Sequence, residues 1–135
     1  MSHYSAVVII PINSKDIESA VNKILNPLSM NKKRSKYKVW DWWQYGGLWN
    51  GEMIGKPRDI NNEGGGLEEN HCLVKDIASG FFPYAVFAPD GNWSVLESGS
   101  YHEPSEAENI ESIREMAEIC KQYPDNIAVL VDYHS

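Results

Sequence analysis

The chain opens on a run in which apolar residues fall on both faces of an extended segment. In HYSAVVIIPI, Tyr4, Ala6, Val8 and Ile10 alternate with Val7 and Ile9, which predicts a central strand closed by Pro11. The next stretch, NSKDIESAVNKILNPLSM, changes period. A polar cap at Asn13 or Ser14 and the acids Asp16 and Glu18 precede Ile17, Ala20, Val21, Ile24, Leu25 and Leu28 at helical spacing, and Pro27 should end the helix near Asn26. A second strand is expected from Lys38 to Gln44. From 46 to 83 the chain is loop-rich, holding eight of the ten glycines, with a short helix or strand near HCLVKDI. YAVFAPDGNWSVLES then reads as a hairpin of Tyr84 to Ala88 and Trp93 to Glu97, with Pro89 and Gly91 placed for a type I turn and a bulge. Ser105 and Glu108 form an S-x-x-E capping box ahead of a stripe of Ile110, Ile113, Ala117 and Cys120. The helix should stop near Tyr123-Pro124. In the closing run NIAVLVDYHS, Ile127, Val129, Val131 and Tyr133 face one way, and Ala128, Leu130, Asp132 and His134 the other.

The order β-α-β-(hairpin)-α-β predicts an α+β fold, a ferredoxin-like sandwich with the first and last strands in the middle, both helices on one face and a long glycine-rich loop insertion. Residues 1–135 fit a single domain. If both helices lie on one face, the other needs a cover from the tryptophan-rich segment, the glycine loop or a second subunit, so a homodimer is one expectation.

Composition narrows the function classes. The net charge of −7 is unevenly distributed: residues 1–59 carry nine Lys/Arg against five Asp/Glu, and residues 60–135 three against fourteen. Such an acidic second half argues against duplex nucleic acid as a partner, since that binding rests on neutralised phosphates. The basic run NKKRSKYK at 31–38 reads as a solvated loop, with an anion contact as its functional alternative. With no long apolar run and no basic leader, neither a membrane span nor a secretion signal is expected, and the protein is expected in the cytoplasm. Cys72 and Cys120 show no metal-ligand spacing and read as reduced thiols.

The densest signal is VWDWWQYGGLWNG, residues 39 to 51, with four tryptophans and three glycines. On a strand, Trp40 and Trp42 would share a face with Lys38 and Gln44, while Asp41, Trp43 and Tyr45 take the other. Gly46 and Gly47 permit a turn returning Trp49 toward the strand, and Gly51 would let a ligand or backbone come close. Rings beside bare amides suit a pocket for a flat, polar ligand. The competing reading is that these rings are core. Asp41, a carboxylate among aromatics, requires a partner either way.

WDWWQYGGLWNG, APDGNW and the terminal VDYHS together resemble a family of small uncharacterised proteins of phages and bacteria, which carry D-W-(W/Y)-x-x-G-G-R-W-x-G and end in V-D-x-H. The likeness runs from about Trp40 to the C-terminus. It brings no activity with it, but implies Asp41, Trp42, Trp43, Gly46, Gly47, Trp49, Gly51, Asp132 and His134 as motif positions. Leu48 stands where the family has arginine, so an anion contact made by that arginine would be lost here or supplied from elsewhere.

Asp132 and His134 share a strand face, so the Asp could set the tautomer of a nearby His, or the two could share a metal. A metal would need a third ligand, for which His102, Glu103 or His71 qualify by residue type alone. No metal and no cofactor are expected. Nucleophile elbows and P-loops are absent. Of the paired H-x-[ST] motifs of two-histidine phosphoesterases only HYS at 3–5 is present, which sets that class aside.

The sequence therefore favours a non-enzymatic binding protein with a small planar or nucleotide-like ligand on Trp40, Asp41, Trp42, Trp43, Gly46, Gly47, Trp49, Gly51, Asp132 and His134, in the manner of a phage counter-defence sponge. One alternative is an anti-CRISPR-like inhibitor that meets a host defence protein through the acidic surface of Glu103, Glu106, Glu108, Glu111, Glu115 and Glu118. The other is a small enzyme using Asp132 and His134.

Overall fold

The computed structural model of the chain describes residues 3–30, 39–57, 64–96 and 105–135. The basic run at 31–38, Lys38, Glu97, His102 and Glu103 lie outside them. The fold is a mixed α+β sheet with two helices: β1 (His3–Ile9), α1 (Ile17–Leu25), β2 (Trp42–Tyr45), β3 (His71–Leu73), β4 (Ala85–Phe87), β5 (Trp93–Val95), α2 (Glu106–Gln122) and β6 (Ile127–His134). Among the described residues no helix is long and apolar enough to cross a membrane.

The strand order is β2-β6-β1-β4-β5. β1 runs parallel to β4 and antiparallel to β6, and β4 and β5 form the expected hairpin, in which Gly91 N–H donates to Ala88 O. Both β2 and β3 pair with β6, β2 against residues 131–134 and β3 against 127–129. The first and last strands are therefore central, as their two apolar faces require.

The helices do not share a face. α1 buries Ala20, Val21, Ile24 and Leu25 with Ala6, Val8, Phe87, Val129 and Val131. On the other face Met116 of α2 joins Val7, Ile9, Val86, Ala128 and Leu130, and Met53 and Val74 close that layer. This departs from the ferredoxin-like arrangement with both helices on one side. Physically, strands apolar on both faces need two covers, and here the chain supplies both itself.

Local chemistry sets the helix ends. Ser14 is spent on a turn, its hydroxyl donating to Pro11 O, so the cap of α1 falls to Asp16, whose carboxylate accepts from Glu18 N–H. After Leu25 one 3-10 turn containing Pro27 closes the helix, and the indole N–H of Trp40 donates to Leu25 O at 2.8 Å, satisfying a carbonyl the ending helix leaves open. α2 starts at the predicted capping box of Ser105 and Glu108.

The buried stripe of α2 differs from the expected one. Ile110 and Ile113 are exposed, whereas Ser112 and Met116 are buried and Ile119, Cys120 and Tyr123 pack beside them. The helix is turned by roughly one residue, about 100°. The small Ser112 and flexible Met116 face the sheet, and the Glu111–Arg114 and Glu118–Lys121 pairs remain at the surface. Met116→Ala should therefore cost about 2–5 kcal/mol, while Ile110→Ser should stay within about 0.5 kcal/mol in urea denaturation. Equal effects would contradict this orientation.

Candidate functional site

Three strands assemble a constellation on the α2 side of the sheet, at the start of β1 and the end of β6. In register, Trp42, His134 and His3 stand side by side across β2, β6 and β1; two residues along, Gln44, Asp132 and Ser5 form the next row. The imidazoles of His3 and His134 meet edge to face with centroids 5.3 Å apart, and the Trp42 ring lies 6.2 Å from His3.

Each histidine is held by a different carboxylate. His3 Nδ1 lies 2.9 Å from Asp132 Oδ1, and His134 Nδ1 lies 2.7 Å from Asp41 Oδ1. An ionised carboxylate can only accept, so opposite one Nδ1 is the donor and Nε2 is the nitrogen left for other partners. The nearby histidine that Asp132 meets is His3 of β1, while His134 of its own strand takes Asp41. Asp132 is fully buried, while His3 and Asp41 are more than one-third exposed and His134 less so. The second oxygen of Asp132 accepts from Leu48 N–H at 3.1 Å. Any residue but proline at 48 would supply that amide, so this cradle does not depend on the Leu48 side chain.

The glycines serve the protein's own side chains. A Cβ on Gly47 would lie 2.5 Å from Asp132 Cβ and 2.7 Å from its Cγ, and one on Gly46 would lie 2.7 Å from Asn70 Oδ1. Asn70, fully buried, accepts from Gly51 N–H and donates to Asn50 Oδ1 and Gly66 O, stitching the long loop together. Gly51 faces the stem of Lys56 rather than open space. Removing side chains here lets a buried aspartate and a buried asparagine approach the backbone closely.

The tryptophans are divided. The strand begins only at Trp42, so alternation does not reach back to Trp40, which packs with Trp43 and Tyr45 on the α1 side. Trp49 packs on the opposite face, beside Cys72, Phe81 and Phe82. Of these four rings Trp42 is the exposed one, and it stands next to His3 and in register with His134. Of the ten predicted site residues, Asp41, Trp42, Asp132 and His134 come together, and Gly47 supports them. Trp40, Trp43, Gly46, Trp49 and Gly51 lie apart from this cluster, Trp40 and Trp43 on the α1 side and Trp49 in the other layer.

Sequence reasoning missed His3 as a site residue. Its signal was HYS, an imidazole on the same strand face as a hydroxyl, but the partner motif sought was another H-x-[ST]. The structure sets His3 and Ser5 opposite His134 and Asp132 instead. His71 is elsewhere, its Nδ1 2.7 Å from Leu67 O. Among the described residues no group of three or more His, Cys, Asp or Glu could hold a metal.

Cys72 and Cys120 are both free and half-buried. Burial first, then the charges of Asp76 and Cys120, push the Cys72 thiol up to about 11. A raised thiol favours the folded state below the ordinary thiol pKa, and this contribution is lost as pH climbs from about 9 through about 11. Iodoacetamide at pH 8 should accordingly modify the folded protein much more slowly than the urea-unfolded chain. Equal rates would remove this environment for Cys72.

Compared with protein-family models, curated proteins and solved structures, the chain matches none of them.

Proposed function

We propose that the protein is a small acid–base hydrolase whose working groups are His3 and His134, acting on a phosphodiester bond. The observation that carries this reading is the pair itself: two imidazoles 5.3 Å apart, each with Nδ1 committed to its own carboxylate. One oriented imidazole suffices for acyl transfer, because the same nitrogen can take a proton from the nucleophile and return it to the leaving group. Displacement at phosphorus is different. The attacking and leaving oxygens lie roughly in line on opposite sides, so two separate groups serve better.

The step balances with these groups alone. Neutral Nε2 of one ring removes a proton from water as its oxygen bonds to phosphorus; the P–O bond to the leaving group breaks, and protonated Nε2–H of the other ring supplies that oxygen's proton. The products are an alcohol and a phosphomonoester, and exchange with solvent restores the starting protonation. Asp132 and Asp41 orient the rings and stabilise their cationic forms. The protein's acidic balance favours a small substrate over a polynucleotide.

The test is release of p-nitrophenol from bis(p-nitrophenyl) phosphate against p-nitrophenyl acetate. The diester should be turned over catalytically; turnover of the acetate alone would overturn the phosphodiester assignment. A second reading, capture of a planar ligand without turnover as in a counter-defence sponge, draws support from the exposed Trp42 ring beside the His3 imidazole. It predicts stoichiometric binding with no product.

A further inference from the structure

On the same face of the sheet as the histidine pair the protein has a cleft of about 480 Å³, within the usual size range of small-molecule sites, lined by Ser5, Trp49, Glu52, Lys56, Phe81 and Phe82 among others. Ser5 ties it to the site. It lies two residues from His3 on the same face of β1, roughly 7 Å along the strand, and pairs across the sheet with Asp132. The larger depression, about 1000 Å³ between the start of α1 and the β4–β5 turn, is on the opposite face of the sheet from the histidines.

We infer that this cleft is the subsite for a planar ring bearing a phosphate, of the nucleoside monophosphate type, with the ring against Trp49, Phe81 and Phe82 and the phosphate between Lys56 and the histidine pair. The inference rests on the acid–base reading for the direction in which the phosphate points. The aromatic wall is braced on the core, since all three rings pack against the α2-side layer. The opposing strips of chain are joined where Ala78 N–H donates to Met53 O at 2.9 Å, and Phe81 N–H donates to Ala78 O. Flat faces on a braced wall recognise a heteroaromatic ring by stacking at little ordering cost.

Lys56 supplies the charge. Its stem lies over Gly51, where a Cβ would come within 2.9 Å of Lys56 Cδ, and its side chain is half-exposed. Its ion pair with Glu69 is long, 3.9 Å, and exposed, an arrangement that holds a lysine weakly. An arriving phosphate can therefore recruit it. A single phosphate also fits a protein of net charge −7, which would repel a longer polyanion.

Isothermal titration with adenosine 5′-monophosphate, ribose 5-phosphate and adenosine tests the subsite without turnover. The monophosphate should bind the wild-type protein at least about tenfold more tightly than ribose 5-phosphate, which lacks the ring. Phe82→Ala should remove that preference. Lys56→Gln, at an exposed position that spares the fold, should weaken the monophosphate severalfold and leave adenosine unchanged, which keeps the test decisive if Phe82→Ala fails to fold. Equal binding of the two phosphates, no binding of either, or indifference to Lys56→Gln would overturn the proposal. Failure of the two readings is distinguishable. Monophosphate binding without turnover of bis(p-nitrophenyl) phosphate removes the hydrolase and keeps the subsite, whereas turnover without monophosphate binding does the reverse.

Discussion

Gly47→Ala is expected to lower the unfolding free energy by about 2–5 kcal/mol. Two costs combine. The backbone at Gly47 has φ +56°, in the left-handed region where a Cβ costs about 1–2 kcal/mol. The new atom would also fall 2.5 Å from Asp132 Cβ, and forcing extra volume into a packed site costs about 1–3 kcal/mol more. Asp132 cannot simply swing away, because it is fully buried and held by His3 and Leu48 N–H. Gly80→Ala is the control: φ there is +84°, but nothing lies within 4 Å of the added Cβ, so only the backbone cost of about 1–2 kcal/mol applies. Urea denaturation of both variants separates the terms. A Gly47→Ala variant no less stable than Gly80→Ala would mean that Asp132 does not occupy the space beside Gly47.

The second large effect concerns turnover. His134→Ala and His3→Ala should each reduce kcat on the diester by about 10²–10⁴, the usual contribution of a positioned acid or base. The double variant should lose much less than the product of the two single losses, because neither imidazole completes the proton transfers without the other. Asp41→Asn is a gentler probe. Its amide can still contact the ring but no longer balances an imidazolium, so kcat should fall while KM changes little. Simple multiplication of the two histidine losses would indicate independent roles and contradict a shared step.

Much of the framework was legible because it depends on short-range patterns. The two-faced apolar runs of β1 and β6 announced central strands, and Ser105 with Glu108 marked the start of α2, since capping chemistry spans only three residues. The orientation of α2 was not legible. Ile110, Ile113 and Ala117 make the more hydrophobic stripe, yet Ser112 and Met116 face the sheet, a choice made by the opposing surface. The placement of the helices on opposite faces escaped for a related reason: the apolar pattern of β1 already demanded two covers, but not which element supplies each.

The site was half legible. Asp132 and His134 stood out by spacing, and Asp41 by its aromatic surroundings. Their pairing did not, because the bonds connect His3 to Asp132 and Asp41 to His134 across most of the chain, through the register of β1, β6 and β2. The glycines were visible as a cluster, but the reason for Gly47 is a carboxylate 85 positions away. Four tryptophans in one short stretch suggested one surface. A bend at Asp41 and the turn after Tyr45 distribute them over two faces instead.

The most direct test is a long-range proton–nitrogen NMR correlation of the histidine rings at a pH where they are neutral. Both His3 and His134 should appear as the Nδ1–H tautomer with Nε2 bare, and Asp41→Asn should perturb the His134 ring far more than its own-strand neighbour Asp132 would suggest. If either ring carries its proton on Nε2, the carboxylates do not orient the pair and the acid–base site described here is wrong.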